Sequence, residues 1–231
     1  MNCAVLFMVA LAQAPAKPVQ LALDLGFVNT AGNTEVTTFN LGQKLTWTTG
    51  AWVFAQSAKA IYGETSGTAT AESYDASLRA DRLITPTLSA FGLATYQRNP
   101  FAGVASRWGE GGGLAFRAIR APRDSLSVEG SLATNQESST AGVDKTFGSA
   151  RGALAFKHLF GTAAFFTQTL EWVTDLQDTQ DQRVNSESAV TAPLSRQVAF
   201  KAAYQIRYDK QPEPGFKTTD RVLTTGVQIV F

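Results

Sequence analysis

The most constraining feature of this sequence is an alternation of apolar and polar residues along most of its length. In the stretch RQVAFKAAYQIRYD, apolar side chains occupy every second position from Val198 to Tyr208. Side chains of a β-strand point alternately to opposite faces, so this pattern predicts a strand with one apolar face. The stretches around Trp47, Trp108 and Phe156 repeat the pattern without a helical period. We therefore predict an all-β chain.

The breaks between these stretches are of two kinds. Short turn signals occur at TTGA (48–51), TPT (85–87), RAPRDS (120–125), FGT (160–162) and PLSR (193–196). Longer polar stretches lie between them: NTAGNTEV, ETSGTA, RNPFAG, TNQESSTAGVDK, DLQDTQDQR and DKQPEPGFKTT. Strands placed between the breaks number about 12, each roughly ten to fifteen residues long. This pattern predicts a transmembrane antiparallel β-barrel with short periplasmic turns and longer outer loops.

A soluble β-sandwich or soluble barrel is the alternative fold, because its strands also have one apolar face. Strands in soluble proteins, however, are usually about five or six residues long, and the alternating stretches here are longer. Charged residues make up 17% of the chain, below the roughly 25% that is usual in soluble domains. The alternation and this low charge content together favour the membrane barrel.

The start of the chain differs from the rest. Residues 1–16 are predicted to be a signal peptide and residues 17–231 the outer-membrane β-barrel. An apolar run begins at Cys3 that has the length of a signal-peptide core and is too short to span a bilayer. Small residues follow, including Ala16, although no Lys or Arg precedes Lys17. We expect export to the bacterial outer membrane.

Two segments carry a family resemblance. Leu23–Trp47 contains a strand, a Gly-Asn-Thr loop and a second alternating strand. Tyr208–Phe231 contains Tyr-Asp, a loop with Pro and Gly, then Lys-Thr-x-Asp and a closing strand. Both resemble the salt-induced outer-membrane protein family of Gram-negative bacteria, a β-barrel family of unassigned function. The resemblance implies a barrel in the outer membrane, and it implies no catalytic residue because the family offers none.

The final strand ends on an aromatic residue. Phe231 has the same parity as Ile229 and Val227, which predicts that its ring points to lipid at the periplasmic rim. A terminal aromatic in an alternating strand resembles the signal that outer-membrane barrels present to their assembly machinery. We therefore predict that Phe231 is an assembly signal and that the barrel assembly machinery is a partner.

Most charged residues fall on the face opposite to lipid. The charged residues expected to line the lumen are Lys44, Lys59, Asp75, Arg79, Arg107, Arg117, Glu129, Arg151, Lys157, Glu171, Lys201 and Arg207, and Asp24 and Asp81 share their parity. Charges of both signs in a narrow interior usually pair, because an unpaired buried charge is costly. Bases outnumber acids in this set, so a water path would favour anions. The sequence leaves two interiors open, a plugged barrel and a narrow, mildly anion-preferring channel.

An enzymatic alternative depends on His158, the single histidine. Outer-membrane phospholipases place a serine and a histidine on the lipid-facing side of a 12-stranded barrel, and parity places His158 on that side. A catalytic pair needs a serine within hydrogen-bond reach. The outward positions predicted for the flanking strands, among them Leu126, Val128 and Phe166, offer no serine. We therefore expect no enzyme, and a lipid-face hydrolase stays the alternative function.

No cofactor or metal site is expected from the sequence. Asp175, Asp178 and Asp181 are spaced by three, unlike the alternate positions of a calcium loop, so they predict a solvated outer loop. Cys3 is the single cysteine, which leaves no cysteine-based metal site. A net charge of +1 gives no reason to expect nucleic acid. The expected partners are outer-membrane lipids and lipopolysaccharide, and the barrel is expected to be a monomer.

Overall fold

The computed structural model describes residues 18–30, 36–161, 163–212 and 214–231. The predicted signal peptide, residues 1–16, lies outside these ranges, as do loop residues 31–35. The strands are β1 (Val19–Thr30), β2 (Val36–Thr49), β3 (Trp52–Thr65), β4 (Thr68–Leu83), β5 (Leu88–Asn99), β6 (Val104–Arg120), β7 (Asp124–Ser139), β8 (Asp144–Phe160), β9 (Ala164–Asp175), β10 (Gln182–Pro193), β11 (Val198–Asp209) and β12 (Thr219–Val230). A short 3-10 helix, Pro100–Ala102, precedes β6.

The sheet is closed. Each strand pairs antiparallel with the next, and β12 pairs with β1, where Leu23 lies opposite Ile229 and Leu25 opposite Val227. Because the sheet is closed, it has no open edge. An open edge would be costly in hydrocarbon, which offers the backbone no hydrogen-bond partner. The predicted antiparallel barrel of about 12 strands is confirmed.

No helix in the described part of the chain is long and apolar enough to cross a membrane.

The two ends of the barrel differ in their connections. We call one the turn end, where the connections are residues 50–51, 84–87, 121–123, 161–163 and 194–197. The other is the loop end, with connections 31–35, 66–67, 100–103, 140–143, 176–181 and 210–218. Several loop-end connections are shorter than the polar stretches predicted. Ser66 and Gly67 alone join β3 to β4, both at positive φ (49° and 77°), as a two-residue hairpin requires. Much of the polarity in these stretches therefore belongs to strands.

Burial in this barrel is the reverse of that in a soluble protein. Leu78, Leu132 and Leu223 are 61%, 63% and 71% exposed, whereas Arg79 and Glu129 are 3% and 4% exposed. Charged residues are almost never fully buried in soluble proteins unless they are paired. Large apolar side chains on the outside and charges on the inside fit a wall that faces hydrocarbon.

Aromatic side chains cluster towards both ends of the outer face. Near the turn end, the rings of Trp47 and Phe54 stack with centroids 5.4 Å apart, and Trp52 stacks on Phe54 at 5.9 Å. In the loop-end half, Tyr96 contacts Trp108 at 4.6 Å. Two aromatic belts separated by an apolar band are typical of membrane barrels, because these rings favour the two interfaces.

Glycines fold the wall sharply along two lines, which we call the creases. A Cβ at Gly111 would lie 2.2 Å from the carbonyl oxygen of Leu132, and one at Gly113 would lie 2.0 Å from another β7 carbonyl. Across the β12–β1 seam, a Cβ at Gly226 would lie 2.1 Å from the carbonyl oxygen of Leu25. Such close approach is found where a barrel turns a corner. The creases lie at the β6–β7 and β12–β1 pairings, six strands apart, so they divide the wall into two facing halves, β1–β6 and β7–β12.

Candidate functional site

The middle of the lumen is crossed by a chain of ion pairs that we call the middle tier. Its members are Asp81, Arg79, Glu129, Arg151, Glu171 and Asn185. The Arg79 guanidinium lies 2.7 Å from Asp81 Oδ1 and 2.9 Å from Glu129 Oε2. Glu129 Oε2 also accepts from Arg151 Nη1 at 3.1 Å, and Arg151 Nε donates to Glu171. Asn185 Nδ2 donates to Glu171 Oε1 at 3.0 Å, which extends the tier to β10.

The glycines of β6 allow this chain to form. Arg79 is on β4 and Glu129 is on β7, so the arginine reaches across the inner faces of β5 and β6. On β5 its guanidinium stacks 3.8 Å from the centroid of the Phe91 ring. On β6 the inward positions include Gly111 and Gly113, which have no side chain to obstruct it. The glycines of GEGGG therefore leave room for the long side chain of Arg79 to cross the inner face of β6.

A second cluster, the loop tier, fills the lumen towards the loop end. It consists of Arg107, Glu137, Lys145, Asp181, Arg183 and Asp209. The Arg183 guanidinium is 3.0 Å from Asp181 Oδ2 and 3.2 Å from Asp209 Oδ2. Lys145 Nζ lies 3.4 Å from the same Asp181 oxygen. Arg107 pairs with Glu137, which is 3.9 Å from Arg183. The two tiers therefore lie in series along the lumen.

The predicted solvated loop at DLQDTQDQR is confirmed for Asp178 and wrong for Asp175 and Asp181. Asp178 is exposed, but Asp175 and Asp181 are buried. Asp175 Oδ1 accepts from the backbone N–H of Gln177 at 2.7 Å and fixes the turn, while Asp181 belongs to the loop tier. The reason is that Asp175 ends β9 and Asp181 directly precedes β10, so both continue the inward parity of Glu171 and Arg183, while residues 176–180 between them are exposed. Within the described residues no group of three or more His, Cys, Asp and Glu is placed to hold a metal ion.

The turn-end half of the lumen contains a cavity of about 370 Å³ that we call the lysine chamber. Its charged lining residues are Asp24, Lys44, Lys59, Asp75, Lys157, Glu187 and Lys201. Lys201 Nζ lies 2.8 Å from Asp24 Oδ2, and Lys59 Nζ lies 4.0 Å from Glu187 Oε2. Lys157 Nζ lies 4.1 Å above the centroid of the Phe165 ring. This chamber brings together residues of both facing walls.

A smaller cavity of about 50 Å³ lies beyond the chamber. Asp75 lines both cavities, and its Oδ2 is 3.8 Å from Arg207 Nη2. Three buried polar atoms in this lining, Asp75 Oδ1, Gln97 Nε2 and Arg151 Nη2, have no hydrogen-bond partner among the residues that the structure describes. A polar cavity of this size has room for ordered water, which could satisfy such atoms. Asp75 thus lies at the boundary between the two cavities, with Arg207 beside it.

The residues expected from parity to line the lumen are distributed over these features. Arg79, Glu129, Arg151 and Glu171 lie in the middle tier and Arg107 in the loop tier. Lys44, Lys59, Lys157 and Lys201 line the chamber, and Asp75 and Arg207 bound it. Arg117 is half-buried at the turn end beside Ser127 and Glu129.

Among the described residues, sequence reasoning missed six charges that form ion pairs inside the barrel: Glu137, Lys145, Asp181, Arg183, Glu187 and Asp209. Most of them lie in or beside stretches that were interpreted as loops because they are polar. The parity of Glu129 continues through Asn135 to Glu137, so the period of two could have identified that residue. Four of the six are acids, which brings the interior as a whole nearer to charge balance than the sequence suggested.

His158 lies on the outer face near the turn end. Its Nδ1 is 2.7 Å from Asp124 Oδ1, and its ring meets the Phe160 ring edge-on at 4.7 Å. The sequence analysis did not include Asp124, the first residue of β7. A histidine and a carboxylate can orient and share a proton, but acyl transfer also needs a nucleophile. Among the described residues, no serine is recorded in contact with His158.

Phe231 continues the pairing of β12 with β1, because its N–H donates to the carbonyl oxygen of Leu21 at 2.9 Å. It is 51% exposed, as is Phe160 at the same end of the barrel. We predict that Phe231→Ala lowers the amount of assembled barrel severalfold while synthesis is unchanged. The measurement is the heat-modifiable fraction on a gel, normalised to total protein.

Phe160→Ala is the matched control, since it removes an aromatic ring of equal exposure from the same end. A simple interfacial anchor would make the two variants equivalent. An assembly signal would make Phe231→Ala alone defective. Equal yields of the two variants would therefore contradict the assigned role of Phe231.

Comparisons with known proteins agree with this fold. A family profile described as "Protein of unknown function, DUF481" matches residues 23–231. The uncharacterized protein YdiY of Escherichia coli (strain K12) is 25% identical over 221 residues, which cover 91% of this chain and 82% of that protein. The resemblance to an outer-membrane barrel family of unassigned function is confirmed.

Solved structures show similarity of fold alone. The NanC porin superposes with a TM-score of 0.52 and 7% identity, covering 91% of this chain and 97% of that chain. The translocator domain of the autotransporter NalP from Neisseria meningitidis has a TM-score of 0.49 and 16% identity, covering 96% of this chain and 91% of that chain. The chain therefore has the porin-like fold of a bacterial outer-membrane barrel.

Proposed function

Since this chain belongs to the DUF481 family, whose description assigns no function, we propose a function from its interior: an outer-membrane β-barrel that its own side chains close at rest. The observation that carries this proposal is the burial of the middle tier. The side chains of Arg79 and Glu129 are each 1% exposed although they face the lumen. Side chains that lined a water-filled pore would remain accessible to water.

Electrostatics supports closure by ion pairs. Removing two charges from water is costly, and the cost is offset only when their geometry is good and their remaining hydrogen bonds are made. Glu129 meets that condition, because Arg79 and Arg151 both donate to its Oε2. A small barrel can be filled by inward side chains in this way. The loop tier supplies a second closure in series, so the parting of one tier alone would not open the lumen.

The narrow, anion-preferring channel is the second candidate, and one observation favours it. The lysine chamber and the smaller cavity meet at Asp75, whose 3.8 Å contact with Arg207 is loose for an ion pair. A path that followed both cavities would pass four lysines, which favour anions. The proposal includes no enzymatic activity, because His158 pairs with Asp124 on the outer face and no serine in the described part of the chain is hydrogen-bonded to it.

The proposed location is the outer membrane, with the turn end at the periplasm. Membrane barrels carry their short turns on that side, and the aromatic belts here give the outer face two interfaces. In this orientation the outer face contacts outer-membrane lipids and lipopolysaccharide. The barrel assembly machinery is the proposed partner during insertion, and a monomer is the proposed state.

Planar-bilayer conductance tests the closure. We expect purified wild-type barrel to insert without discrete conductance steps. The middle-tier variant is R79S, E129S, R151S and E171S, and the loop-tier variant is R107S, E137S, R183S and D209S. Because the tiers lie in series, we expect steps only when both sets are combined. Heat-modifiable migration on a gel verifies that each variant is folded.

Two results would overturn this proposal. Regular conductance steps from the wild-type barrel would show that the tiers do not close it and would support the channel instead. Steps of full size from the middle-tier variant alone would show that the loop tier closes nothing.

A further inference from the structure

The lysine chamber is the most positive part of the lumen. Lys44 comes from β2 in one wall and Lys157 from β8 in the other, and both face the same cavity. Four lysines line the cavity, Lys44, Lys59, Lys157 and Lys201, against three acids. Like charges gathered in a cavity with low-dielectric walls repel one another and raise the local concentration of anions.

The acids of the chamber are already engaged by bases. Asp24 accepts from Lys201 Nζ and from Gln228 Nε2, each at 2.8 Å. Glu187 faces Lys59, and Asp75 faces Arg207. Lys157 forms no ion pair with a carboxylate among the described residues, and its Nζ lies over an aromatic ring instead. The chamber therefore keeps an excess of positive charge after its ion pairs are formed.

The size and the neutral lining of the chamber also suit a small ligand. Its volume of about 370 Å³ lies within the range of roughly 300–1,000 Å³ that is usual for small-molecule sites. The hydroxyls of Thr167, Thr169 and Thr191 and the amide of Gln228 line it together with the lysines. These groups and the ammonium groups can donate hydrogen bonds, and ionised oxygens accept the strongest of them.

We infer that the lysine chamber is a binding site for a small oxyanion, either free phosphate or sulfate or the phosphoryl group of a small soluble ester. Lysines from both walls supply the positive charge, with Lys157 outside the ion pairs of the described residues, and the threonines and Gln228 supply neutral donors. The inference goes beyond closure of the barrel, because equilibrium binding requires neither a closed nor an open lumen.

Isothermal titration calorimetry of the purified barrel in a phosphate-free, low-salt buffer tests the site, with inorganic phosphate as the probe. We expect wild-type barrel to bind about one phosphate, with affinity that falls as NaCl is added. K44Q and K157Q should each weaken binding by about tenfold or more, as expected when a charged hydrogen-bond donor is lost. K157R should retain most of the affinity because it keeps the charge. Titration with glycerol phosphate then distinguishes an ester ligand from free phosphate.

The matched control is R196Q, which removes one positive charge from an exposed turn at the same end of the barrel. It should bind phosphate like wild type. No binding to wild type, unchanged affinity in both lysine variants, or an equal loss in R196Q would overturn the site. Conductance steps from the wild-type barrel would overturn the proposed closure and would leave phosphate binding unaffected. Failure of the closure and failure of the binding site can therefore be told apart.

Discussion

We expect G111V and G113V each to yield almost no assembled barrel. At both positions a Cβ would lie within 2.2 Å of a backbone carbonyl oxygen of β7, far inside van der Waals contact. A backbone atom in a paired strand cannot move aside as the end of a side chain can. Adding a side chain to a well-packed site usually lowers stability by about 1–3 kcal/mol. At Gly111 and Gly113 the added side chain would clash with backbone, so we expect a cost at or above the upper end of that range. The measurement is the heat-modifiable fraction of each variant in the outer-membrane pellet.

Glycines on the outer face provide the matched control for this experiment. A Cβ added at Gly92 or Gly130 meets no heavy atom within 4 Å among the described residues. G92V and G130V add the same side chain to neighbouring strands, so we expect them to assemble at nearly the wild-type level. If G111V assembled as well as G130V, the crease would not depend on glycine.

The second large effect concerns the carboxylate shared by two arginines. We expect E129A to lower the free energy of unfolding by about 3–5 kcal/mol, the range for breaking a buried ion pair from one side. Glu129 Oε2 accepts from Arg79 Nη1 and from Arg151 Nη1, so the substitution removes two charge-assisted hydrogen bonds at once. Urea unfolding of the refolded barrel in lipid vesicles, followed by tryptophan fluorescence, measures the change.

D144A is the matched control, because Asp144 is an exposed carboxylate at the loop end of β8, the strand next to β7. We expect it to change the free energy of unfolding by about 0.5 kcal/mol or less. A double-mutant cycle with R79A separates the pair from its surroundings. Residues in one network couple by about 0.5–3 kcal/mol, so strictly additive losses in R79A and E129A would contradict a shared ion pair.

The period of two predicted the fold well, because it follows directly from strand geometry. Alternation alone indicates that Leu78 faces lipid and Arg79 the lumen, and turn signals give the number of strands. Partners inside the lumen could not be predicted in this way. Arg79 and Glu129 are separated by 50 residues and lie on strands that are not neighbours. Their contact depends on the distance across the barrel and on the glycines of β6, which leave the space between them open. The alternation of side chains along a strand carries no information about either.

Polarity misled the sequence analysis at the loop end for a related physical reason. In a soluble protein a run such as TNQESSTAGVDK is a loop, because polar residues seek water. In this barrel the inward side of a strand is also polar, so β7 continues to Ser139 and places Glu137 in the loop tier. The polarity of a residue therefore separates lipid-facing positions from all others. It does not separate positions that face the lumen from positions in solvent-exposed loops.

Because of the creases, the number of strands in this barrel does not determine the size of its lumen. For a given perimeter a circle encloses the largest area, and the perimeter of a barrel grows with its number of strands. A wall of twelve strands that is folded along two opposite lines encloses much less area than a round one, so a single arginine can span the gap between facing halves. In this chain the glycines at the creases allow the close approach of neighbouring strands, and a perimeter of twelve strands surrounds an interior that side chains cross at the middle tier.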